Sequence, residues 1–347
     1  MKSFFTSFFA SLTALVVVIF GGGLLLAVIV AAVVALGQNK TVVVPNGAYL
    51  VFDLAANIQD APVQTDGLEE IVESFGGRSR SVLQLRAITR ALQAAAKDEA
   101  IAGLYLTGSL QPAGYGTGYA ALAEVRAALT EFKAAGKPVK AYLNYADTRD
   151  FYLASAASEI VLDPYGAVVM PGLASQPMFF TGAMEKLGVG VQVTRVGKYK
   201  SAVEPYTRKD MSVESRQQTQ TLLDDLWRTL TTAIEKDRRL AAGALQKAVD
   251  AKGFLRPEVA KNLKLVDRIA YHDEILAELK VATGRAGSNQ AFQQVALKDY
   301  ANLISVGGSS AQRQRAKGVK LDDNSRSKIA IVYAEGEIVD GDGWDEE

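Results

Sequence analysis

The sequence predicts an α/β layer protein whose strands are joined by parallel crossovers, preceded by one apolar segment that spans a bilayer. Three observations carry this reading. Short apolar runs of strand type alternate with helical stretches between residues 48 and 196. The helical stretches place their apolar residues on one face. No charged side chain occurs from Ser3 to Asn39. Strand and helix alternating at this spacing need connections that carry the chain from one strand to a parallel neighbour.

The first element is "ALVVVIFGGGLLLAVIVAAVVALG", residues 14–37. Its 24 residues cover roughly 36 Å as a helix, against a hydrocarbon core of about 30 Å. A cleaved signal peptide has a shorter apolar core and a small-x-small site after it, and neither is present. Gly21, Gly22 and Gly23 suit a membrane helix better than a soluble one, because glycine allows close packing against neighbours. The expectation is a single-pass anchor with its amino end in the cytoplasm and the chain after residue 40 outside it.

The soluble elements follow in order. "AYLVFDLA" (48–55) reads as a strand, and 81–98 as a helix with Val82, Leu85, Ile88, Leu92 and Ala95 on one face. "IAGLYLTG" (101–108) is a second strand, and 119–138 a helix closed by Gly136 and Pro138. Residues 139–144, 159–164 and 190–196 continue the strand series. A long helix then begins at Ser212, a cap with Glu214 in the first turn, and Leu222, Leu223, Leu226, Trp227 and Leu230 form its expected buried stripe. Residues 240–282 read as two or three further helices, and "TGRAGSNQ" and "GGSSAQRQRAKG" as loop or linker.

Composition removes several function classes. Acidic and basic residues number 38 each over 347 residues, so no global basic excess points to nucleic acid. Cysteine is absent, which excludes disulfides, thiolate metal sites and a cysteine nucleophile. The single histidine, His272, lies in a polar context with neither a nucleophile elbow nor a zinc-type spacing around it. No metal or cofactor is expected. "GSLQPAGYGTG" (108–118) matches neither the phosphate-loop nor the dinucleotide spacing and reads as a turn before the next helix.

The sequence also resembles itself. "LVFDLAANIQD" (50–60) aligns without a gap on "AIVYAEGEIVD" (330–340), an apolar strand followed by small and polar residues. The expectation is one completed α/β unit and the beginning of a second.

Several segments together resemble a known family. The apolar amino-terminal segment, "KPVKAYLNYADTRDFYLASAASEIVLDPYG", "RVGKYKSAVEPYTRKDMS" and "IAIVYAEGEIVDG" are similar to the amino-terminal half of the long, tandem-repeat form of signal peptide peptidase A, or protease IV. "GKYKSAVEP" followed by "DMS" is the specific match. The resemblance implies a ClpP/crotonase-like α/β fold with one N-terminal transmembrane helix, and a bacterial inner-membrane protein whose soluble part faces the periplasm or cell exterior. It implies a homo-oligomer, hydrophobic peptide substrates (signal peptides), contact with the lipid bilayer and no nucleic acid. On that basis residues 1–40 are the anchor, 41–300 the first repeat, 301–327 a linker and 328–347 the start of a second repeat.

The implied activity is that of a serine endopeptidase of Ser/Lys type. The residue that carries over is Lys200, as general base. The nucleophile does not carry over, because Thr148, Arg149, Asp150 and Phe151 stand where the family's second repeat has Ser-Gly-Gly-Tyr. A lysine removes a proton from a serine hydroxyl only when it is itself neutral, so its ordinary value near 10.4 must fall to about 7 or 8. Val193, Val196 and Tyr199 would keep water away, Arg195 and Lys198 would add positive charge, and Glu204 would work against both if it paired with Lys200. The competing expectation is a non-catalytic, membrane-tethered scaffold of the same fold that binds peptides or partner subunits.

Overall fold

The structure, a computed structural model, describes residues 12–13, 15–24, 42–60, 81–110 and 117–305. The chain divides into two units, residues 1–43 and 44–347. In the first, residues 15–24 are helical with exposed side chains. Among the described residues no helix is long and apolar enough to cross a membrane. Residues 14 and 25–37 of the expected anchor lie outside the described residues, as does the strand expected at 330–340.

The second unit is built on a seven-stranded sheet. Its centre is β1 (Ala48–Asp53), β4 (Ile101–Thr107), β5 (Val139–Ala146) and β6 (Glu159–Val169), in the spatial order β6-β5-β4-β1. β9 (Gln294–Ala296) extends the sheet beside β1, while β7 (Phe254–Leu255) and β8 (Arg268–Ile269) share the outer edge of β6. All pairings are parallel except that of β7 with β6. β2 (Ala56–Gln59) and β3 (Ser81–Gln84) form a separate parallel pair.

The connections between central strands are helical, as the alternation requires. α1 (Leu85–Lys97) leads into β4, α2 (Tyr119–Ala134) into β5 and the short α3 (Thr148–Ala154) into β6. Ile88, Leu92 and Ala95 of α1 are buried as the period-3.6 pattern predicts. α2 is capped by Ala135, with Gly136 in the left-handed region at φ 85°, the conformation glycine adopts at helix ends without steric cost. α1 packs against α2 and against α10 (Leu297–Ser305), the helix in which the expected linker at residue 301 begins. On one sheet face Tyr49, Tyr105, Tyr142 and Val161 pack with Ile275 and Leu279 of α9 (His272–Ala282). The central strands are thus covered and read as apolar runs, as parallel strands do.

β6 is longer than its apolar run predicts, because the chain passes through Pro164 and Gly166 with a register irregularity opposite Leu143 and Tyr145. A Cβ at Gly166 would sit 2.0 Å from the Asn144 carbonyl oxygen, so only glycine lets the two strands close up there.

Three expectations are corrected. Residues 81–84 are a strand, not the start of the helix, because they pair in parallel with β2. Residues 190–196 are not a strand. They have no regular structure and are exposed, and an extended run without a neighbour has nothing to receive its backbone hydrogen bonds. The third correction concerns α6 (Val213–Arg238). Ser212 does cap it, accepting from Ser215 N at 3.1 Å. Of the predicted stripe, however, only Leu230 is buried, while Leu222 is 59 % exposed. The carboxyl-terminal turns of α6 join the core through Leu230 and Ile234, and its earlier turns stand clear of it. α7 (Ala244–Ala251) and α8 (Pro257–Asn262) complete the helices expected over 240–282.

Candidate active site

Lys200 lies on an arm that projects from the sheet. Between residues 171 and 200 no side chain is buried. The arm contains α4 (Thr181–Leu187), which closes on Gly188 at φ 68°, an irregular stretch, and the short α5 (Glu204–Thr207) before α6. Its large apolar side chains face outward: Met178, Leu187 and Val196 are 70 %, 77 % and 83 % exposed.

The Lys200 backbone is held while its side chain is left open. Arg195 Nη1 donates to the Lys200 carbonyl oxygen at 3.0 Å and lies 3.7 Å from Glu204 Oε1. Glu204 is buried, and accepts from Ser212 N at 3.0 Å and from Ser212 Oγ at 2.5 Å. Arg195, Glu204 and Ser212 therefore form a relay from the Lys200 loop to the cap of α6. Among the described residues the Lys200 ammonium has no hydrogen bond or ion pair, and it is exposed.

This arrangement answers one question the sequence raises and reverses another expectation. Glu204 does not pair with Lys200; its carboxylate is committed to Ser212 and Arg195. The expected dry surroundings are not formed among the described residues. Val193, Val196 and Tyr199 are exposed alongside Lys200, because the stretch that carries them has no layer to pack on.

The Glu204 relay has a measurable acid limit. Burial pushes the carboxyl up, but the two Ser212 hydrogen bonds and the Arg208 and Arg195 guanidinium groups outweigh it and leave the group below its ordinary value of 4.5. A carboxyl whose folded value is depressed contributes stability above its unfolded value, and that contribution is lost as pH falls through the folded one. Hydrogen exchange of the Ser212 and Ser215 amides, corrected for intrinsic rates, is therefore expected to accelerate below pH 4.5. In Glu204→Gln it should be fast already at neutral pH and lack this pH dependence. Equal protection in both proteins across the range would refute the relay.

The other residues singled out from the sequence lie in a different setting. Asp147 caps α3 and forms a capping box with Asp150. Asp150 is fully buried, and accepts from Ser109 Oγ at 2.6 Å and from Leu110 N at 2.7 Å. Burial raises its carboxyl above the ordinary value despite those hydrogen bonds. Asp150 thus ties the 108–110 loop to the start of α3. Thr148 is itself buried, and no hydrogen bond joins it to a lysine among the described residues. His272 has a structural partner: its Nε2 lies 3.0 Å from the Tyr105 hydroxyl, and its ring stacks on Tyr142 at 4.7 Å.

Arg126, a charged residue on the apolar face of α2, is buried. Nη1 donates to the Tyr152 carbonyl and to Ser155 Oγ, and Nη2 to the Ala233 carbonyl and Asp237 Oδ2, both at 2.8 Å. It joins α2 and α3 to the root of the helix that follows the Lys200 arm. Its spacing carried the signal, since Leu122 lies four residues before and Leu129 three residues after, both on the buried face.

Comparison with known proteins fits this geometry. Residues 131–285 match the model for peptidase family S49, a stretch that contains α3, the arm, Lys200 and α6. Protease 4 of Haemophilus influenzae is 30 % identical over 321 residues, covering 89 % of this chain and 49 % of that protein. Protease 4 of Salmonella typhi is 28 % identical over 308 residues, covering 84 % and 46 %. The chloroplastic serine protease SPPA of Arabidopsis thaliana is 30 % identical over 272 residues, covering 78 % and 37 %. The chain thus spans about half the length or less of these curated relatives. Among solved structures, an enoyl-CoA hydratase/carnithine racemase from Magnetospirillum magneticum superposes with a TM-score of 0.33 at 14 % identity, over 67 % of this chain and 76 % of that one. That likeness is too low to carry an argument. The family match and the curated relatives together place the chain, through residues 131–285, in peptidase family S49, the signal peptide peptidase A (protease IV) family.

Proposed function

We propose that residues 1–347 are the base-donating part of a membrane-anchored serine endopeptidase of Ser/Lys type that degrades cleaved signal peptides. Lys200 is the general base, and the serine comes from outside residues 1–347, where no Ser-Gly-Gly-Tyr segment occurs. Residues 14–37 anchor the protein in the inner membrane with the soluble part outside the cytoplasm. The arm assembles with further copies of the protein, and hydrophobic peptides are the substrates.

One observation carries this reading. Lys200 is held by its backbone on an arm whose apolar side chains are exposed, while the nearest buried carboxylate is engaged elsewhere. Covering that apolar surface removes water from the amine, and desolvation is what makes a lysine neutral enough to act as a base. Assembly and base strength are then one event. A non-catalytic scaffold is the second reading, favoured for this chain alone by the exposure of Lys200.

Labelling separates the two. The complete polypeptide, treated with a fluorophosphonate probe and digested, is expected to yield one labelled serine, located outside residues 1–347. A label on Ser201 or any other serine within them would overturn the assignment, and no label at all would favour the scaffold.

A further inference from the structure

We infer that the chain carries a second site, distant in chemistry from peptide hydrolysis, that binds a multiply charged oxyanion of the phosphate class. It is an open cleft of about 720 Å³ where α2, α6 and α8 end, lined by Lys133, Arg238, Arg239, Lys261 and Lys264.

Two carboxylates also line it, Asp237 and Asp267, and both are engaged. Asp237 is bound by Arg126 at 2.8 Å. Asp267 is bound by Arg238 at 2.7 Å and also accepts from the Ile160 amide. Lys133 Nζ is spent on the Ala156 carbonyl at 2.8 Å. Arg239, Lys261 and Lys264 remain, all exposed and without a side-chain partner among the described residues. Three cations lining one concave surface give it a positive potential that draws an anion.

Helix ends attract cations anyway, so the dipole is the ordinary explanation. It falls short here for a backbone reason. Arg239 and Lys264 lie just past the ends of α6 and α8 at φ 54° and 60°, and they are the non-glycine residues with positive φ among those described. Glycine takes that conformation freely and is the usual choice there. Both strained positions carry a basic side chain and both line the same cleft. Lys236, Arg238 and Lys261 already place cations in the last turns of the two helices. The strained pair thus supplies charge to the cleft beyond what the helices need.

The ligand class follows from the charge and shape. A monocarboxylate leaves the three free cations mostly uncompensated, whereas a phosphate or pyrophosphate group brings two or more charges and several oxygens to one guanidinium fork and two ammonium groups. A lipid phosphate headgroup and a free phosphate compound share this chemistry.

The test uses the full chain in neutral detergent micelles at low salt, titrated calorimetrically with inorganic pyrophosphate and, separately, with dihexanoyl phosphatidic acid. Saturable binding that weakens as salt is raised is expected. Binding of pyrophosphate identifies a free-phosphate site, and binding of the lipid alone identifies a headgroup site. The double variant Arg239→Gly/Lys264→Gly relieves two left-handed residues, so its melting midpoint should be no lower than the parent's, while affinity falls at least about tenfold. Lys261→Gln should cost several-fold, and Lys200→Ala nothing. Absence of binding by both anions, or undiminished affinity in the double variant and in Lys261→Gln, would overturn the site.

Discussion

Replacing Lys200 with alanine in the complete polypeptide is expected to lower the turnover of a hydrophobic peptide by about 10³-fold, roughly 4 kcal/mol of transition-state stabilisation, with the subunit count unchanged. The fold itself should be unchanged, because Lys200 enters it through its carbonyl oxygen, which Arg195 grips, and not through its side chain. Any residue at 200 preserves that hydrogen bond. The loss should fall on kcat more than on KM, since a general base acts when the proton moves and contributes little to holding the peptide. Lys200→Arg is the stringent companion. It keeps the positive charge and much of the length, yet a guanidinium does not give up its proton in the working range of an enzyme, so it should be as inactive as alanine. Arginine retaining activity would mean that position 200 supplies charge and not basicity, and alanine retaining activity would remove Lys200 from the reaction altogether. The arm also makes a separable prediction about cause. Val196→Asp places a charge on an apolar surface that is 83 % exposed in this chain, and if assembly is what dries Lys200, this variant should lose subunit association and activity together.

The central layers of the fold were legible because each residue there answers to a local rule. β1, β4 and β5 are short apolar runs, and α2 has an apolar stripe with a glycine stop, so period and punctuation suffice. What escaped detection depends on partners distant in sequence. Val191, Val193 and Val196 give 190–196 the look of a strand, but a strand exists only if another lies beside it, and none does among the described residues. Leu222, Leu223 and Leu226 form a helical stripe, but the pattern alone does not say whether this chain's core covers it, and it does not. Buried charges were equally opaque: Glu204 and Asp150 resemble solvated acids in sequence, and only the fold brings Ser212, Ser109 and Leu110 to them. The segment around Lys200 was distinctive in sequence, whereas the exposure of Lys200 was not legible there, because burial depends on surfaces distant in the chain.

Arg126→Met is expected to be the most destabilising of the substitutions considered, by about 3 kcal/mol in denaturant unfolding. Methionine fills similar volume, so the loss comes from stranded polar groups and not from a cavity. Asp237 loses its cation, and the Tyr152 and Ala233 carbonyls and Ser155 Oγ each lose one donor within a region where Arg126 is only 7 % exposed. Burial already lowers the guanidinium's value, which Asp237 partly restores. The charge is therefore tolerated because it is paired, and removing one member exposes the cost of burying the other. Asp237 is partly open to solvent, at 22 % for its side chain, which keeps the expected loss below what a fully enclosed carboxylate would incur. A second substitution isolates the cause: Arg126→Met/Asp237→Leu removes both charges and should recover a third or more of the lost stability, as apolar replacements of buried ion pairs do. The site and the stability then part company in a useful way. Since this joint ties α2 and α3 to the end of α6, amide exchange should rise along residues 230–237 in the single variant and return in the double. If the single variant unfolds within 1 kcal/mol of the parent, or the double is no more stable than the single, Arg126 is packing and not an electrostatic tie between α2, α3 and α6.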